Sequence, residues 1–183
     1  MKKLDKSNLD SKYSSKISTQ DYSSKKRIDG VEFFEIKNFI AEDGSFCELG
    51  RFDDKGFLEG IPNFKVEQMS YSLMLPGAVK AWHIHFNQED VWYVPSDDRL
   101  LVGLADLRKD SPTKDVNMRF VMGAGKSQLL LIPRGVAHGV ANIGIKEARV
   151  IYFTNQKFDA NSPDEQRLPW DTFGADFWKP KYG

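Results

Sequence analysis

Two histidines stand one residue apart in His83-Ile84-His85, at the head of a stretch that runs on through Phe86, Asn87, Gln88, Glu89 and Asp90. The third and last, His138, lies between Pro133-Arg134-Gly135 and Asn142. Alternate residues of a strand point to the same face, so His83 and His85 share one. A chain that places all three of its histidines in two such segments is expected to gather them in one site. Imidazole exchanges protons near neutral pH and ligates borderline transition metals, and one carboxylate beside it offsets a metal's charge. Glu89 and Asp90 are both available, but a regular strand turns only one of them inward. The plainer alternative is that the histidines are packed or hydrogen-bonded core residues that hold no metal.

Those segments must be held by strands. From Gly30 onward the chain reads as short apolar and aromatic runs broken by Gly, Pro, Asp and Asn: 31–40, 45–51, 66–75, 79–86, 91–94, 100–108, 118–122, 128–132, 137–141 and 148–154. About ten strands without one long segment of 3.6-residue period predict an all-β sandwich or small barrel. Turn residues fall between the runs, at Glu42-Asp43-Gly44, Leu75-Pro76-Gly77, Pro95 to Asp98 and Gly123-Ala124-Gly125. The segment 52–64 reads as a longer loop, and the closing aromatics Trp170, Phe177 and Trp178 as a cap on the barrel. If His83 faces a cavity, alternation sends Trp82 outward, against a covering segment or a second subunit.

Residues 1–28, rich in Lys, Ser and Asp, read as an arm that is mobile or crosses to a second subunit, leaving one domain over 29–183. With 26 basic and 26 acidic side chains, charge points to neither nucleic acid nor an anionic membrane. The single Cys47 excludes an internal disulfide framework, and no run approaches the roughly 20 apolar residues of a membrane span. A soluble, cytoplasmic protein is expected.

Gly77, His83, His85 and Glu89, followed by Pro133, Gly135, His138 and Asn142, resemble the two motifs of the cupin superfamily. That resemblance implies a small jelly-roll barrel, and one reading of it puts a divalent transition metal on His83, His85, Glu89 and His138, with Asp90 at the other spacing the superfamily tolerates. Ser96 and Ser127 stand where its motifs have glycine. Further blocks are similar to the dTDP-4-dehydrorhamnose 3,5-epimerase family on the same barrel. Gly77-Ala-Val-Lys80-Ala-Trp82-His83 resembles that family's Gly-Val-Leu-Arg-Gly-Leu-His block, and Asp106-Leu-Arg108-Lys-Asp-Ser111-Pro-Thr113 its Asp-Leu-Arg-x-x-Ser-Pro-Thr. Ile132-Pro-x-Gly135-Val-Ala-His138-Gly139 resembles Ile-Pro-x-Gly-Phe-Ala-His-Gly. Tyr152 falls where the family places its catalytic tyrosine, and Trp170-Asp171 with 174–178 resembles its closing segment.

The family resemblance implies cofactor-free proton transfer beside the C4 ketone of a nucleotide-linked 4-keto-6-deoxyhexose, in a homodimer. His83 is then the base and Tyr152 the acid. Lys80, Gln68, Arg108 and His138 are the candidate substrate contacts, with Arg134 a further spare cation; the bland reading of these cations is a solvated or structural charge. The chain also departs from the family. Asp90 stands where the family has a lysine, Asp43 where it has an arginine, and Phe158 where it has a second tyrosine. The C-terminal aspartate that orients the family's histidine is expected to have no counterpart, and Asp90 is the candidate to orient or charge His83 instead. A metal isomerase or oxygenase, or a non-catalytic sugar-nucleotide-binding barrel, are the rival expectations.

Overall fold

The computed structural model describes residues 3–23 and 26–181. The strands in chain order are β1 (Glu32–Glu35), β2 (Asn38–Ala41), β3 (Gly44–Cys47), β4 (Gln68–Met74), β5 (Val79–Ile84), β6 (Asp90–Tyr93), β7 (Arg99–Asp106), β8 (Asn117–Gly123), β9 (Gln128–Ile132), β10 (Val136–Ala141), β11 (Ala148–Thr154) and β12 (Gln166–Arg167). Two five-stranded antiparallel sheets, ordered β1-β9-β6-β11-β4 and β12-β5-β10-β7-β8, face each other in a cupin-type jelly roll.

Alternation sorts each strand between an inner and an outer layer, and both are covered. Between the sheets Trp92, Val94, Val102, Leu104, Leu130, Val136, Val140 and Val150 form the central core. On the outside of the first sheet, Val91, Tyr93, Leu129 and Phe153 are covered by Leu58, Ile61 and Phe64. The loop read over 52–64 is therefore a lid on that sheet. On the outside of the second sheet, Trp82, Leu101, Ala105, Ala137 and Ala141 are covered by Phe173, Phe177 and Trp178. Burial on both faces explains why β6 and β10 are buried at every residue.

The aromatic cover lies close. A Cβ on Gly103 would meet the rings of Phe177, Trp178 and Trp82 at 2.5, 2.6 and 2.8 Å, so only a residue without one lets the clasp settle on β7. Trp82 and Trp178 both donate from their indole nitrogens to the carbonyl of Trp170. Trp82 does turn outward, and a covering segment of the same chain receives it.

Three boundaries differ from the sequence expectation. The run 31–40 is two strands, because β1 pairs with β9 while β2 leaves the sheet and pairs with β3 across the turn at Glu42-Asp43. Ile28, placed in the arm, is 1% exposed and belongs to the central core. The described remainder of the arm carries only exposed helical turns at Lys6–Asn8 and α1 (Ser11–Ser14), and residues 1–2 and 24–25 lie outside the described residues. The two-residue β12 carries no apolar pattern and exists through its pairing with β5.

Candidate functional site

One end of the space between the sheets is not filled by apolar side chains but forms a cavity of about 470 Å³. The second sheet contributes His83 and His85 from the β5 segment and His138 from β10. His83 and His138 are directly paired across the ladder, so they share a face, and their rings stack with centroids 6.0 Å apart. The first sheet answers with Asp90 and Trp92 from β6 and Tyr152 from β11, of which Trp92 and Tyr152 are paired across the ladder. Gln68 from β4 and Lys80 from β5 line the cavity, as do Phe158, Glu165 and Arg167.

At the mouth, His83 Nδ1 lies 2.5 Å from Glu165 Oε1. A carboxylate only accepts, so Nδ1 carries the proton and Nε2 is the nitrogen left to take one. Burial pushes the imidazole below its ordinary value, and the attraction of Glu165 only partly offsets this. Burial alone would raise Glu165, but the charge and hydrogen bond of His83, with His85 and Arg167 adding to them, hold it below the ordinary value. Near neutral pH the pair is a neutral imidazole on an ionised carboxylate, the state of a general base. Tyr152 faces the cavity from the other sheet, its ring 5.5 Å from that of Trp92. Burial raises it, which keeps the phenol protonated and able to donate.

The floor is built differently. His85 donates from Nδ1 to the carbonyl of Asp164, and His138 from Nδ1 to the carbonyl of Val136 at 3.0 Å. Their Nε2 atoms stand 4.0 and 3.8 Å from Asp90 Oδ2. Asp90 is fixed by Gln88 Nε2 at 2.7 Å and Trp92 Nε1 at 2.9 Å. His138 is pushed down to about 4, first by burial.

The structure thus brings His83, His85, His138, Asp90, Tyr152, Gln68 and Lys80 to one cavity. Two expected residues it does not. Glu89 turns away and accepts from Asn155 Nδ2 at 3.1 Å, because alternation admits Asp90 instead, so the expected metal set with Glu89 is not assembled. Arg108 lies outside the cavity, spent on Asp106 at 2.8 and 2.9 Å and on the carbonyl of Asp29. Burial alone would raise Asp106, but Arg108, Ser111 and Thr113 hold it well below the ordinary carboxylate range. Asp90 is not the partner of His83 either; its imidazole neighbours are His85 and His138.

Glu165 escaped the sequence reading, which expected no orienting acid downstream of the strands. Asp164 does as much for the backbone: its carboxylate accepts from the amides of Phe86, Asn87 and Gln88 at 2.7–2.8 Å, which fixes the turn after His85. The only available signal was an Asp-Glu pair just before the apolar Leu168-Pro169-Trp170.

The family model described as dTDP-4-dehydrorhamnose 3,5-epimerase matches residues 25–178, most of the chain. The chain belongs to this family. Spore coat polysaccharide biosynthesis protein SpsL of Bacillus subtilis (strain 168) is 41% identical over 144 residues, 79% of this chain and 91% of that protein. The probable low-salt glycan biosynthesis epimerase Agl13 of Haloferax volcanii is 36% identical over 105 residues, 57% of this chain and 67% of that protein. Among solved structures, the dTDP sugar isomerase of Desulfovibrio desulfuricans G20 superposes with a TM-score of 0.68 at 28% identity, covering 82% of this chain and 88% of that one. The match of this epimerase family spans both sheets, the histidine segments, Glu165 and the aromatic clasp, so the site lies wholly within it.

Proposed function

We propose that the protein epimerises a nucleotide-linked 4-keto-6-deoxyhexose by proton transfer beside the ketone. The observation that carries this reading is the His83–Glu165 pair at the mouth of a cavity lined from the other side by Tyr152. His83 Nε2 takes the proton from the carbon beside C4, the electron pair moves onto the carbonyl oxygen as an enolate, and Glu165 holds the imidazolium that forms. Tyr152 gives its proton to the opposite face of that carbon, and the electron pair returns from oxygen. Proton transfer of this kind asks for no redox cofactor. Lys80 and Arg167 line the cavity and suit the diphosphate; Gln68 and His138 suit the sugar hydroxyls.

The working form is a homodimer in the cytoplasm. The outer face of the edge strand β4 exposes Met69 (65%), Tyr71 (72%) and Leu73 (41%), an apolar strip that supports a second subunit, to which the N-terminal arm would cross. The free Cys47 supports a reducing compartment, and no helix among the described residues is long and apolar enough to cross a membrane.

Incubating the protein in D₂O with a dTDP-4-keto-6-deoxyhexose tests the reading. Deuterium is expected at C3 or C5, with His83→Asn slowing its entry by about 10²–10⁴-fold. Thermal stabilisation by the same ligand without deuterium entry would make the protein a sugar-nucleotide-binding barrel instead.

A further inference from the structure

A second cavity, of about 780 Å³, opens at the other edge of the jelly roll, where the edge strands β1 and β8 meet and the C-terminal clasp comes alongside. It shares no residue with the cavity that holds the histidines. Its wall is aromatic. Phe33 and Phe120 meet edge to face across the gap between the sheets, ring centroids 5.1 Å apart, and Phe173 and Phe177 join them from the clasp. All four are only partly buried. One half-buried phenylalanine is ordinary, but four around one cavity make an apolar surface that nothing in the chain covers.

The rim is basic. Lys26, Arg27, Arg119 and Lys181 line it, against one carboxylate, Asp176, which Lys179 already pairs at 2.7 Å. Among the described residues none of those four cations makes an ion pair. Three are nonetheless held in place. Lys26 donates to the carbonyl of Pro112 at 3.3 Å, and the Arg27 guanidinium lies 5.7 Å from the centre of the Phe33 ring. Arg119 donates from Nε to the carbonyl of Phe177 at 2.7 Å and from Nη2 to that of Lys179. Carbonyls and rings orient a cation without cancelling its charge. The N-terminal arm does not complement this charge, since residues 3–23 carry four lysines against three aspartates.

We propose that this cavity binds a nucleoside triphosphate, with the base among the phenyl rings and the phosphates on the basic rim. Its volume lies in the ordinary range for a ligand of that size. A base presents a flat face that stacks on aromatic rings and on arginine. A chain of three phosphates can answer cations spread around a rim, with charge-assisted hydrogen bonds that a single phosphate could not reach. The Asn117 side chain also lines the cavity, and its amide offers a donor and an acceptor to the base edge. The occupant ties β8 to the clasp. Phe173 and Phe177 pack edge to face on Trp82, ring centroids 4.9 and 5.0 Å away, so the ligand steadies the cover behind His83 and raises the melting temperature.

The test is isothermal titration calorimetry of the full chain with ATP and with dTTP. Lys80→Glu/Arg167→Glu protein is used, so that the histidine cavity repels phosphate and does not enter the reading. One equivalent per chain is expected to bind. Adding Lys26→Glu/Arg27→Glu, two exposed positions on the rim, should weaken binding by more than about 10-fold, the effect of losing one charge-assisted hydrogen bond. Lys181→Glu, also exposed, gives the same reading should that pair fail to fold. Inorganic triphosphate, which lacks the ring, and dodecyl phosphate, which has an aliphatic chain and one phosphate, should each bind at least about 10-fold more weakly than ATP. Absence of nucleotide binding, or binding that the rim substitutions leave unchanged, overturns the site. Inorganic triphosphate or dodecyl phosphate binding as tightly as ATP overturns the nucleotide as its occupant.

Discussion

At the cavity mouth His83 touches Glu165 at 2.5 Å, with side chains 22% and 32% exposed; on the floor His85 and His138 stand 4.0 and 3.8 Å from Asp90, all three at 6% or less. The functional groups, imidazole and carboxylate, are the same in both places, and the difference is which nitrogen faces the carboxylate. At the mouth the protonated nitrogen does, so the pair is satisfied and the second nitrogen remains a base. On the floor Nδ1 of each histidine is taken by a carbonyl, and Nε2 faces the carboxylate from too far for a hydrogen bond. What the backbone offers one imidazole nitrogen decides how the other can meet a carboxylate.

The strongest way to break the comparison is to remove what both arrangements share. Glu165 and the carbonyl of Asp164 come from one segment, anchored by the backbone pairing of Leu168 with Trp82 and by the aromatic clasp. Trp82→Ala is expected to cost about 3–5 kcal/mol in urea unfolding. It should abolish deuterium exchange, although Trp82 lies on the outer face of β5. Exchange that survives the substitution would show that the mouth is held independently of the clasp.

Glu165→Gln sharpens the comparison by altering the mouth alone. Exchange should slow by about 10²-fold. Burial already places His83 below its ordinary value of about 6.5, and Glu165 is the group that pulls it back up. The acid limb of kcat/KM against pH should therefore lie below about 6.5 in the wild type and move lower still in the variant. The basic limb, set by a tyrosine raised by burial, stays above about 10 in both. An acid limb that does not move would deny Glu165 its place beside the base.

Arg108→Ala has the smallest expected effect on the site, namely none on exchange. It should lower stability by about 1–3 kcal/mol, because buried Asp106 loses its ion-pair partner. Asp106 lies below its ordinary value in the folded protein, so its contribution is present above about pH 4 and is lost as pH falls toward the folded value. The variant should show less of that acid dependence. A loss of activity with unchanged stability would return Arg108 to the substrate.

The strands were legible because alternating apolar runs between Gly and Pro turns have few other uses, and the histidines because all three fall in two of those runs. Lys80 and Gln68 line the cavity, whereas Arg108, as basic as Lys80, is claimed by Asp106 two residues away, a competition invisible in composition. The choice between Glu89 and Asp90 needed the phase of β6. Glu165 was hidden more deeply, since it sits in a polar stretch without periodicity and reaches His83 only because β12 pairs with β5. Long-range pairing of a two-residue strand leaves no local mark.

That pairing also orders events in time. His83 and Glu165 are 82 residues apart, with six strands of the two sheets between them. During synthesis the sheets can pair while the clasp is still inside the ribosome, and a nascent chain at that stage carries its histidines without the groups that aim them. Chemical competence arrives last, with the same residues that seal the outer face of β5. A half-made chain would be folded in outline and inert, unable to act on a reactive keto sugar before its barrel is closed.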